Sequence, residues 1–359
     1  MQKDILMNHA RAVVGMTLGL LIVSCTPSVE DPLRPWTPEK AWEWYNDQPW
    51  LVGCNFIPSS AVNQLEMWQT ETFDPVTIDR ELGYAEGLGM NIVRVYLHDL
   101  AWAQDPSGFK ARIDTVLTLA RRHGIRVLLV LFDDCWNDMP KPGRQPEPVP
   151  GVHNSGWVKS PGSALVNDSS SWGRLEDYVR DVVGTFGQDP RVALWDLYNE
   201  PGNGDQDGKS LPLLKATFRW ARLVAPSQPL TAGVWYENQE LNAFQLSSSD
   251  IITFHNYNDS LNLSSQISAL REYGRPLICT EWLRRTGNSI PQTHLPIFKR
   301  ERVGCINWGL VSGRTQTIFP WGSAQGTPEP AVWFHDLFRA DGTPFDEHEA
   351  MTFRTLTQR

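Results

Sequence analysis

The sequence predicts an α/β fold, a closed (β/α)8 TIM barrel, from three observations. Short apolar runs rich in β-branched residues alternate with stretches of helical periodicity. Eight such runs, each followed by an interval for a helix, match the number that a closed barrel requires. Two of the runs end at a glutamate, Glu200 and Glu281, and the carboxyl ends of barrel strands form the catalytic face of this fold.

The predicted strands are continuous apolar runs, as expected of strands that are buried on both faces of a parallel sheet. Helices are predicted where apolar residues recur at helical spacing between a start signal such as Asp74-Pro75 and a stop signal such as Gly89 or Gly124. The strands are residues 50–55, 91–96, 125–131, 191–198, 229–234, 251–254, 275–280 and 304–308, and the helices are 74–88, 109–123, 175–186, 214–224, 263–273, 295–302 and 330–339.

The composition is that of a globular protein without the basic character of a nucleic-acid-binding protein. A hydrophobic content of 41% and a charged content of 20% are ordinary for such a chain. The net charge of −9 and the lack of a basic block argue against a nucleic-acid partner and favour a neutral ligand over an acidic polymer. The 16 tryptophans provide flat faces on which a sugar ring could stack.

The N-terminus predicts export. Residues 1–24 combine Lys3 and Arg11 with an apolar stretch over 12–23, which is too short to span a bilayer. The following Ile22-Val23-Ser24-Cys25 resembles a bacterial lipobox, which implies cleavage before Cys25 and its lipidation. An ordinary secretory signal is the alternative.

Three domains are therefore expected: a signal peptide over 1–24, a tether over 25–36 and a catalytic domain over 37–359. We expect an exported, lipid-anchored monomer at the bacterial cell surface or in the periplasm. Its contact with the membrane would be through the anchor alone.

Four further cysteines, Cys54, Cys135, Cys279 and Cys305, lie in or near the barrel strands. Their spacings match no zinc site, and buried free thiols are favoured over disulfides. The expected chemistry requires neither a metal nor another cofactor.

Glu200, within Asn199-Glu200-Pro201, and Glu281 predict the reaction. Two carboxylates on opposite sides of a sugar-sized gap are what a retaining glycosidase uses. The alternative is that each glutamate is only a surface residue at the start of a loop.

The order of these features resembles clan A of the glycoside hydrolases, most closely family 5. The resemblance covers roughly residues 50–339, and the Arg94-Val95-Tyr96 strand and the later Asp134-Cys-Trp136 are similar in layout to the β-mannanase branch. Strand three ends in Phe132-Asp133-Asp134, where many cellulases of the family have histidines. The matching features are Arg94 on strand two, Asn199-Glu200-Pro201 after strand four, His255-x-Tyr257 after strand six, Glu281 after strand seven and Trp308 on strand eight.

The resemblance implies roles for these residues. Glu200 would be the general acid/base, with a pKa raised by burial and by the charge of Glu281, and Glu281 would be the nucleophile. Arg94 and Tyr257 would donate hydrogen bonds to Glu281, and Asn199 would bind the sugar 2-OH. Arg94 could also simply brace the barrel.

The other candidates have structural alternatives. His255 would contact the sugar or the acid/base, or be structural, and Trp308 would form the floor under the sugar or pack in the core. Asp133 would bind sugar hydroxyls or cap its loop. About half of four further tryptophans are expected to stack on sugars: Trp136, Trp235, Trp282 and Trp321.

Residues 133–172 form a predicted loop that is too long for a simple connection and should wall the substrate cleft, with Trp136 on a sugar. The expected function is therefore a retaining glycoside hydrolase that acts on a neutral β-mannan, β-glucan or xylan. A non-catalytic surface glycan-binding lipoprotein and a transglycosylase are the alternatives, and endo or exo action is left open.

Overall fold

The computed structural model describes residues 33–358, in which eight parallel strands form one sheet. The sheet has the order β5-β4-β3-β2-β1-β8-β7-β6, and this confirms the predicted (β/α)8 barrel. The strands are β1 Val52–Asn55, β2 Ile92–Tyr96, β3 Arg126–Val130, β4 Val192–Asp196, β5 Leu230–Thr231, β6 Ile252–His255, β7 Leu277–Glu281 and β8 Gly304–Asn307.

The barrel closes between β5 and β6 by a narrow contact. Val234 forms a parallel bridge with Phe254, in which Val234 N donates to Thr253 O and His255 N donates to Val234 O, both at 3.0 Å. β5 is shorter than the predicted 229–234 because Ala232 N donates to the side chain of Ser249 instead of to a neighbouring strand.

Helices cover the outer face of the strands. Six of the seven predicted helices are present, with their ends within about four residues of the predicted ones. They are α1 Pro38–Asn46, α2 Gln64–Trp68, α3 Pro75–Gly87, α4 Asp99–Gln104, α5 Pro106–Arg122, α6 Ser163–Val166, α7 Gly173–Phe186, α8 Leu211–Leu223, α9 Gln239–Ser248, α10 Ser260–Arg271, α11 Pro291–Arg300 and α12 Glu347–Thr357.

Strand β2 shows how the barrel positions the site. Val93 and Val95 belong to the core between strands and helices, whereas Ile92 and Tyr96 belong to the inner core of the barrel. Because side chains alternate along a strand, Arg94 shares the inner face with Ile92 and Tyr96. A charged side chain is thus placed inside the barrel by a strand that is otherwise apolar.

The predicted helix over 330–339 is wrong. This segment is irregular, because Phe334 N and His335 N donate to Ile318 O and Thr317 O rather than along a helix. Asp336 also has a φ of 53°, outside the helical region. The helix that follows β8 is α12, further along the chain.

Helix α9 was not located by the sequence analysis. It begins at the N-cap Asn238 and buries only Leu241 and Gln245, so its apolar periodicity is weak. Its position between β5 and β6 completes the alternation of strands and helices.

All four cysteines in the described part of the chain are free and buried, as predicted. Within residues 33–358, no helix is long and apolar enough to cross a membrane. The predicted signal peptide and Cys25 lie outside the described residues. Trp36, at the end of the predicted tether, is bonded to the barrel through Asp250 and Arg275.

A buried ion pair attaches α12 to the segment that replaces the predicted helix. Arg285 donates to both carboxylate oxygens of Glu349, at 2.9 and 2.6 Å, and to the carbonyls of Trp333, His335 and Asp336. Both charged side chains are almost completely buried. The pair therefore satisfies backbone carbonyls that lack helical partners.

We expect Glu349→Ala to lower the free energy of unfolding by about 3–5 kcal/mol, because the guanidinium of Arg285 would be left buried without its anion. Chemical denaturation provides the measurement. Glu347→Ala is the matched control, because Glu347 lies in the same helix in an exposed pair with Arg354 and should cost about 1 kcal/mol or less. Equal losses for the two variants would contradict this account of the pair.

Candidate active site

Glu281 ends β7 inside the mouth of the barrel, and three donors hold its carboxylate. Oε1 accepts hydrogen bonds from Arg94 Nη1 and from the Tyr96 hydroxyl, both at 2.8 Å. Oε2 accepts from the Tyr257 hydroxyl at 2.7 Å. The side chain is 5% exposed, so these donors replace the water that would otherwise solvate the anion. This arrangement suits an ionised carboxylate.

Arg94 is fully buried and connects several strands. Its guanidinium donates to Asp196 Oδ2 at 3.1 and 2.7 Å, to Asn55 Oδ1 at 2.8 Å and to Asn199 Oδ1 at 2.6 Å, as well as to Glu281. Burial opposes its charge, but the surrounding acidic groups hold the pKa of Arg94 above its ordinary value. Arg94 therefore braces the barrel and also supplies a permanent positive charge to Glu281.

Tyr96 and Asp196 were missed by the sequence analysis. Tyr96 lies two residues after Arg94 on the same strand, and that spacing alone places both side chains on one face. Burial raises the pKa of Tyr96 well above its usual value, so the hydroxyl remains a donor to Glu281. Asp196 was detectable as a charged residue that interrupts the apolar run of β4.

Glu200 follows β4 and faces Glu281 across the mouth of the barrel. Its Oε1 lies 2.8 Å from His255 Nδ1, and its Oε2 accepts from Asn203 Nδ2 at 2.6 Å and from Cys135 Sγ at 3.2 Å. Its backbone has a φ of 43°, in the left-handed region that is uncommon for residues other than glycine. The conformation of Glu200 therefore depends on the groups that surround it.

The pKa of Glu200 is lowered, and the expectation that it would be raised is wrong for this structure. Burial does raise it, but the hydrogen bond and charge of His255 and the hydrogen bonds from Cys135 and Asn203 outweigh burial. Cys135 remains a neutral donor, because burial and the nearby carboxylates raise the pKa of its thiol. Of these neighbours, the sequence analysis assigned a role to His255 but not to Cys135 or Asn203.

The two glutamates are close together. Single atoms of Glu200, His255 and Glu281 all lie within 4.8 Å of one another. Such a group could hold a metal by distance, but the two carboxylates already accept hydrogen bonds from Arg94, Tyr96, Tyr257 and the neighbours of Glu200. These donors suit two carboxylates acting on a neutral substrate better than they suit a cation.

A cavity of about 580 Å³ lies above the glutamates, a volume ordinary for a small-molecule site. Asn258 and Arg284 line it in addition to predicted residues. The predicted residues that line it are Trp136, Asn199, Glu200, Trp235, His255, Tyr257, Glu281, Trp308 and Trp321.

Asp133 lies behind the cavity and does not line it. Its carboxylate accepts from Asn199 Nδ2 at 2.9 Å, from Trp157 Nε1 at 2.7 Å and from the backbone N–H of Cys135 at 3.0 Å. Burial raises its pKa to about 7. Of the two expected roles, capping its own loop is the one that this geometry supports, and Asp133 also positions Asn199.

The tryptophans fall into two groups. Trp308 lines the cavity and also packs against Tyr96 and Trp157, a position compatible with both roles considered for it. Trp282 is fully buried against Phe298, and the expectation that it could stack on a sugar is wrong, because its side chain points into the helix layer. Trp136, Trp235 and Trp321 all line the cavity.

Comparisons with known proteins agree with this geometry. Residues 57–313 match the family model described as cellulase (glycosyl hydrolase family 5). No curated protein sequence matches the chain.

Solved structures of low sequence identity share the fold. An exo-β-1,4-mannosidase from Opitutaceae bacterium strain TAV5 is 17% identical with a TM-score of 0.60, covering 86% of this chain and 60% of that one. A GH5_18 variant from Bifidobacterium longum in complex with Manβ1-4GlcNAc is 15% identical with a TM-score of 0.59, covering 86% and 77%. An endo-β-1,4-mannanase from Thermotoga petrophila is 14% identical with a TM-score of 0.56, covering 86% and 76%.

The family match extends over most of the barrel, from the loop after β1 to the loop after β8. It includes both glutamates and the residues that hydrogen-bond to them. The chain therefore belongs to glycosyl hydrolase family 5, and it is a glycosidase that acts on β-linked glycans.

Proposed function

We propose that the enzyme hydrolyses β-glycosidic bonds of a neutral polysaccharide or oligosaccharide with retention of configuration. The observation that carries this proposal is that one carboxylate oxygen of Glu200 lies within 4.8 Å of one carboxylate oxygen of Glu281. Retaining enzymes hold their carboxyl groups about 5–5.5 Å apart, whereas inverting enzymes need about 6.5–9.5 Å to admit a water molecule. The shorter spacing leaves room for direct attack by one carboxylate.

In the first step, Glu281 attacks the anomeric carbon and the bond to the leaving oxygen breaks. The leaving oxygen takes a proton from Glu200, and a covalent glycosyl–enzyme ester forms at Glu281. Asn199 is held by Arg94 and Asp133 and lines the cavity, so it can bind the 2-OH of the reacting sugar. Trp308 supports the same sugar from below.

In the second step, the Glu200 carboxylate removes a proton from water, and the hydroxide oxygen attacks the anomeric carbon. The ester bond breaks, and Glu281 returns to its ionised form. The hydrogen bonds that stabilise ionised Glu200 suit this step, in which it must be a base. The first step instead requires Glu200 to carry the proton, and its Oε1 lies 2.8 Å from His255 Nδ1.

Among the neutral β-glycans, mannan is the first candidate. Several of the similar solved structures are named as mannanases or a mannosidase, and this supports β-mannan ahead of β-glucan or xylan. The donors arranged around both glutamates argue against a non-catalytic glycan-binding protein, which has no need of them. A transglycosylase would use the same residues and is distinguished by its products. Measuring the rates of hydrolysis of β-mannan, β-glucan and xylan would identify which of them is the substrate.

Glu281→Ala should lose hydrolysis, and added azide should restore turnover of an activated β-glycoside to give the α-glycosyl azide, because azide can occupy the space of the missing nucleophile. Glu200→Ala should retain far more activity on a substrate with a good leaving group than on a natural glycan. NMR identifies the azide anomer and the first sugar anomer released by the wild-type enzyme. A β-azide, or release of the inverted sugar, would falsify the assigned roles.

Cys135→Ala should move the alkaline limb of the kcat/KM profile to higher pH. The thiol lowers the pKa of Glu200, so its removal raises that pKa and keeps the acid protonated at higher pH. A lost hydrogen bond of about 0.5–1.5 kcal/mol corresponds to a shift of about 0.4–1 pH unit. The other groups facing Glu200, namely His255, Asn203 and Glu281, are unchanged in this variant.

Cys135→Ser is the control, because its hydroxyl keeps a donor near Glu200 and should leave the alkaline limb close to that of the wild type. If the alkaline limb of the kcat/KM profile is unchanged in Cys135→Ala, or shifts equally in both variants, the thiol does not act on Glu200.

We also propose that the enzyme is exported and anchored to a bacterial membrane by lipid at Cys25, on the basis of Ile22-Val23-Ser24-Cys25. Cys25→Ser should leave the protein unprocessed or release it from the membrane fraction. Metabolic labelling with a fatty-acid probe and cell fractionation measure this, with Cys54→Ser as a control that should keep the label. Normal processing and membrane association of Cys25→Ser would exclude the lipobox.

A further inference from the structure

Two long loops join over one side of the barrel mouth: residues 133–172 after β3 and residues 308–346 after β8. We call their contact the loop seam. Five of its bonds have lengths of 2.7–2.9 Å and join residues between Val149 and Asn154 on one loop to residues between Thr315 and Gly326 on the other. They are Asn154 N to Thr315 O, Gly151 N to Gln316 Oε1, Gln316 Nε2 to Val149 O, His153 Nδ1 to Phe319 O and Gly326 N to Pro150 O.

Arg314 fastens the seam to the β1 side of the barrel. Its Nε lies 3.1 Å from Glu66 of α2, its Nη1 lies 2.9 Å from Glu147, and its backbone N donates to Ser59 O at 3.0 Å. The neighbouring Gly313 is so close to Ser59 that a Cβ there would lie 2.5 Å from backbone atoms. The joined loops therefore form a fixed wall rather than two separate flaps.

The inner side of this wall is aromatic. Trp136 and His153 have ring centres 5.3 Å apart, and His153 and Trp321 have ring centres 6.5 Å apart. All three residues line the cavity that contains both glutamates. Burial lowers the pKa of His153 to about 4, so this side chain is neutral at ordinary pH. The wall thus presents the exposed rings of Trp136 and Trp321 to the cavity, with His153 buried beside both and Arg284 5.7 Å over the Trp321 ring.

The wall meets the cavity on the Glu281 side, because Trp321 packs at 5.0 Å against Tyr257, whose hydroxyl donates to Glu281. In the proposed mechanism the sugar transferred to Glu281 lies over Trp308, and Trp308 packs at 5.7 Å against Trp157, which belongs to the loop of residues 133–172. The leaving group lies on the side of Glu200, where Asn203, Gly204 and Trp235 line the cavity. These residues follow β4 and β5, and they are not part of the loop seam.

We propose that the enzyme is exo-acting and removes sugar units from the non-reducing end of its glycan. This inference rests on the proposed function, which places the transferred sugar at Glu281 and the leaving group at Glu200. In a glycan, the transferred sugar carries the non-reducing end, and the leaving group carries the reducing end. The wall blocks extension of the glycan beyond the transferred sugar, towards its non-reducing end. The Glu200 side of the cavity accepts a leaving group of any length.

The test uses β-1,4-linked manno-oligosaccharides labelled at the reducing end with 2-aminobenzamide, or the gluco or xylo series if that is the one hydrolysed. Early in the reaction, the labelled products should be shortened stepwise from the non-reducing end. A 4,6-O-benzylidene cap on the non-reducing terminal sugar should slow hydrolysis by at least about 100-fold. Labelled products from internal cleavage, or a capped substrate that reacts at a similar rate, would overturn exo action.

A 4-nitrophenyl β-glycoside separates this inference from the proposed function. If the wild-type enzyme hydrolyses it and Glu281→Ala does not, the glycosidase activity stands whatever the capped substrate shows. If the wild-type enzyme hydrolyses neither that glycoside nor any labelled oligosaccharide, the proposed function fails and exo action fails with it.

Loosening the wall should convert part of the activity to internal cleavage. Arg314→Ala combined with Gln316→Ala removes side-chain bonds of the wall without changing a residue that lines the catalytic cavity. Hydrolysis of the capped oligosaccharide should rise at least about tenfold, with the rate on the 4-nitrophenyl glycoside nearly unchanged.

The matched control is Arg300→Ala combined with Gln188→Ala, two exposed side chains outside the wall, which should not raise hydrolysis of the capped substrate. A folded wall variant, by circular dichroism, that gains nothing on the capped substrate would contradict the role of the loop seam. The capped wild-type experiment decides exo action even if the wall variant does not fold.

Discussion

The active site depends on one buried cation. Removing the guanidinium of Arg94 from water is costly, and the cost is offset only when anions and polar acceptors surround it completely. Asp196 and Glu281 supply the charges, and Asn55 and Asn199 supply further acceptors. Because these residues come from β1, from β4 and the loop after it, and from β7, the position of Glu281 is linked to the closure of the barrel itself.

The same constraint gives the two glutamates different surroundings. Glu281 is held by Arg94, Tyr96 and Tyr257, which remain donors over the whole working range of pH. Glu200 is held by His255, Asn203 and Cys135, none of which is a permanent cation. Different environments for two carboxylates are how one site obtains a nucleophile and an acid/base. The contrast here lies in the permanent cation, Arg94, which bonds to Glu281 and not to Glu200.

The loops decide how a glycan reaches this site. The strands of the barrel position the glutamates, whereas the wall formed by the joined loops and its row of Trp136, His153 and Trp321 bounds the cavity. The tight approach of Gly313 to Ser59 shows that the wall is part of the packed structure. Catalysis and substrate selection are therefore carried by separate parts of the chain, and loop changes can alter one without the other.

The sequence by itself determined the barrel, the strands to within a few residues and the main site residues, because apolar runs, turn residues and strand-end polar residues are local signals. It failed for α9, whose buried face is too small to show periodicity, and for residues 330–339, where Arg285 and distant loops satisfy the backbone instead of a helix. Only the tertiary structure decided that Cys135 and Asn203 hold Glu200, that Asp133 faces Asn199 rather than the cavity, and that two loops form a wall. Each of these contacts joins residues that barrel closure and loop packing bring together. Contacts between residues distant in the sequence produce no periodic pattern that could be recognised in it.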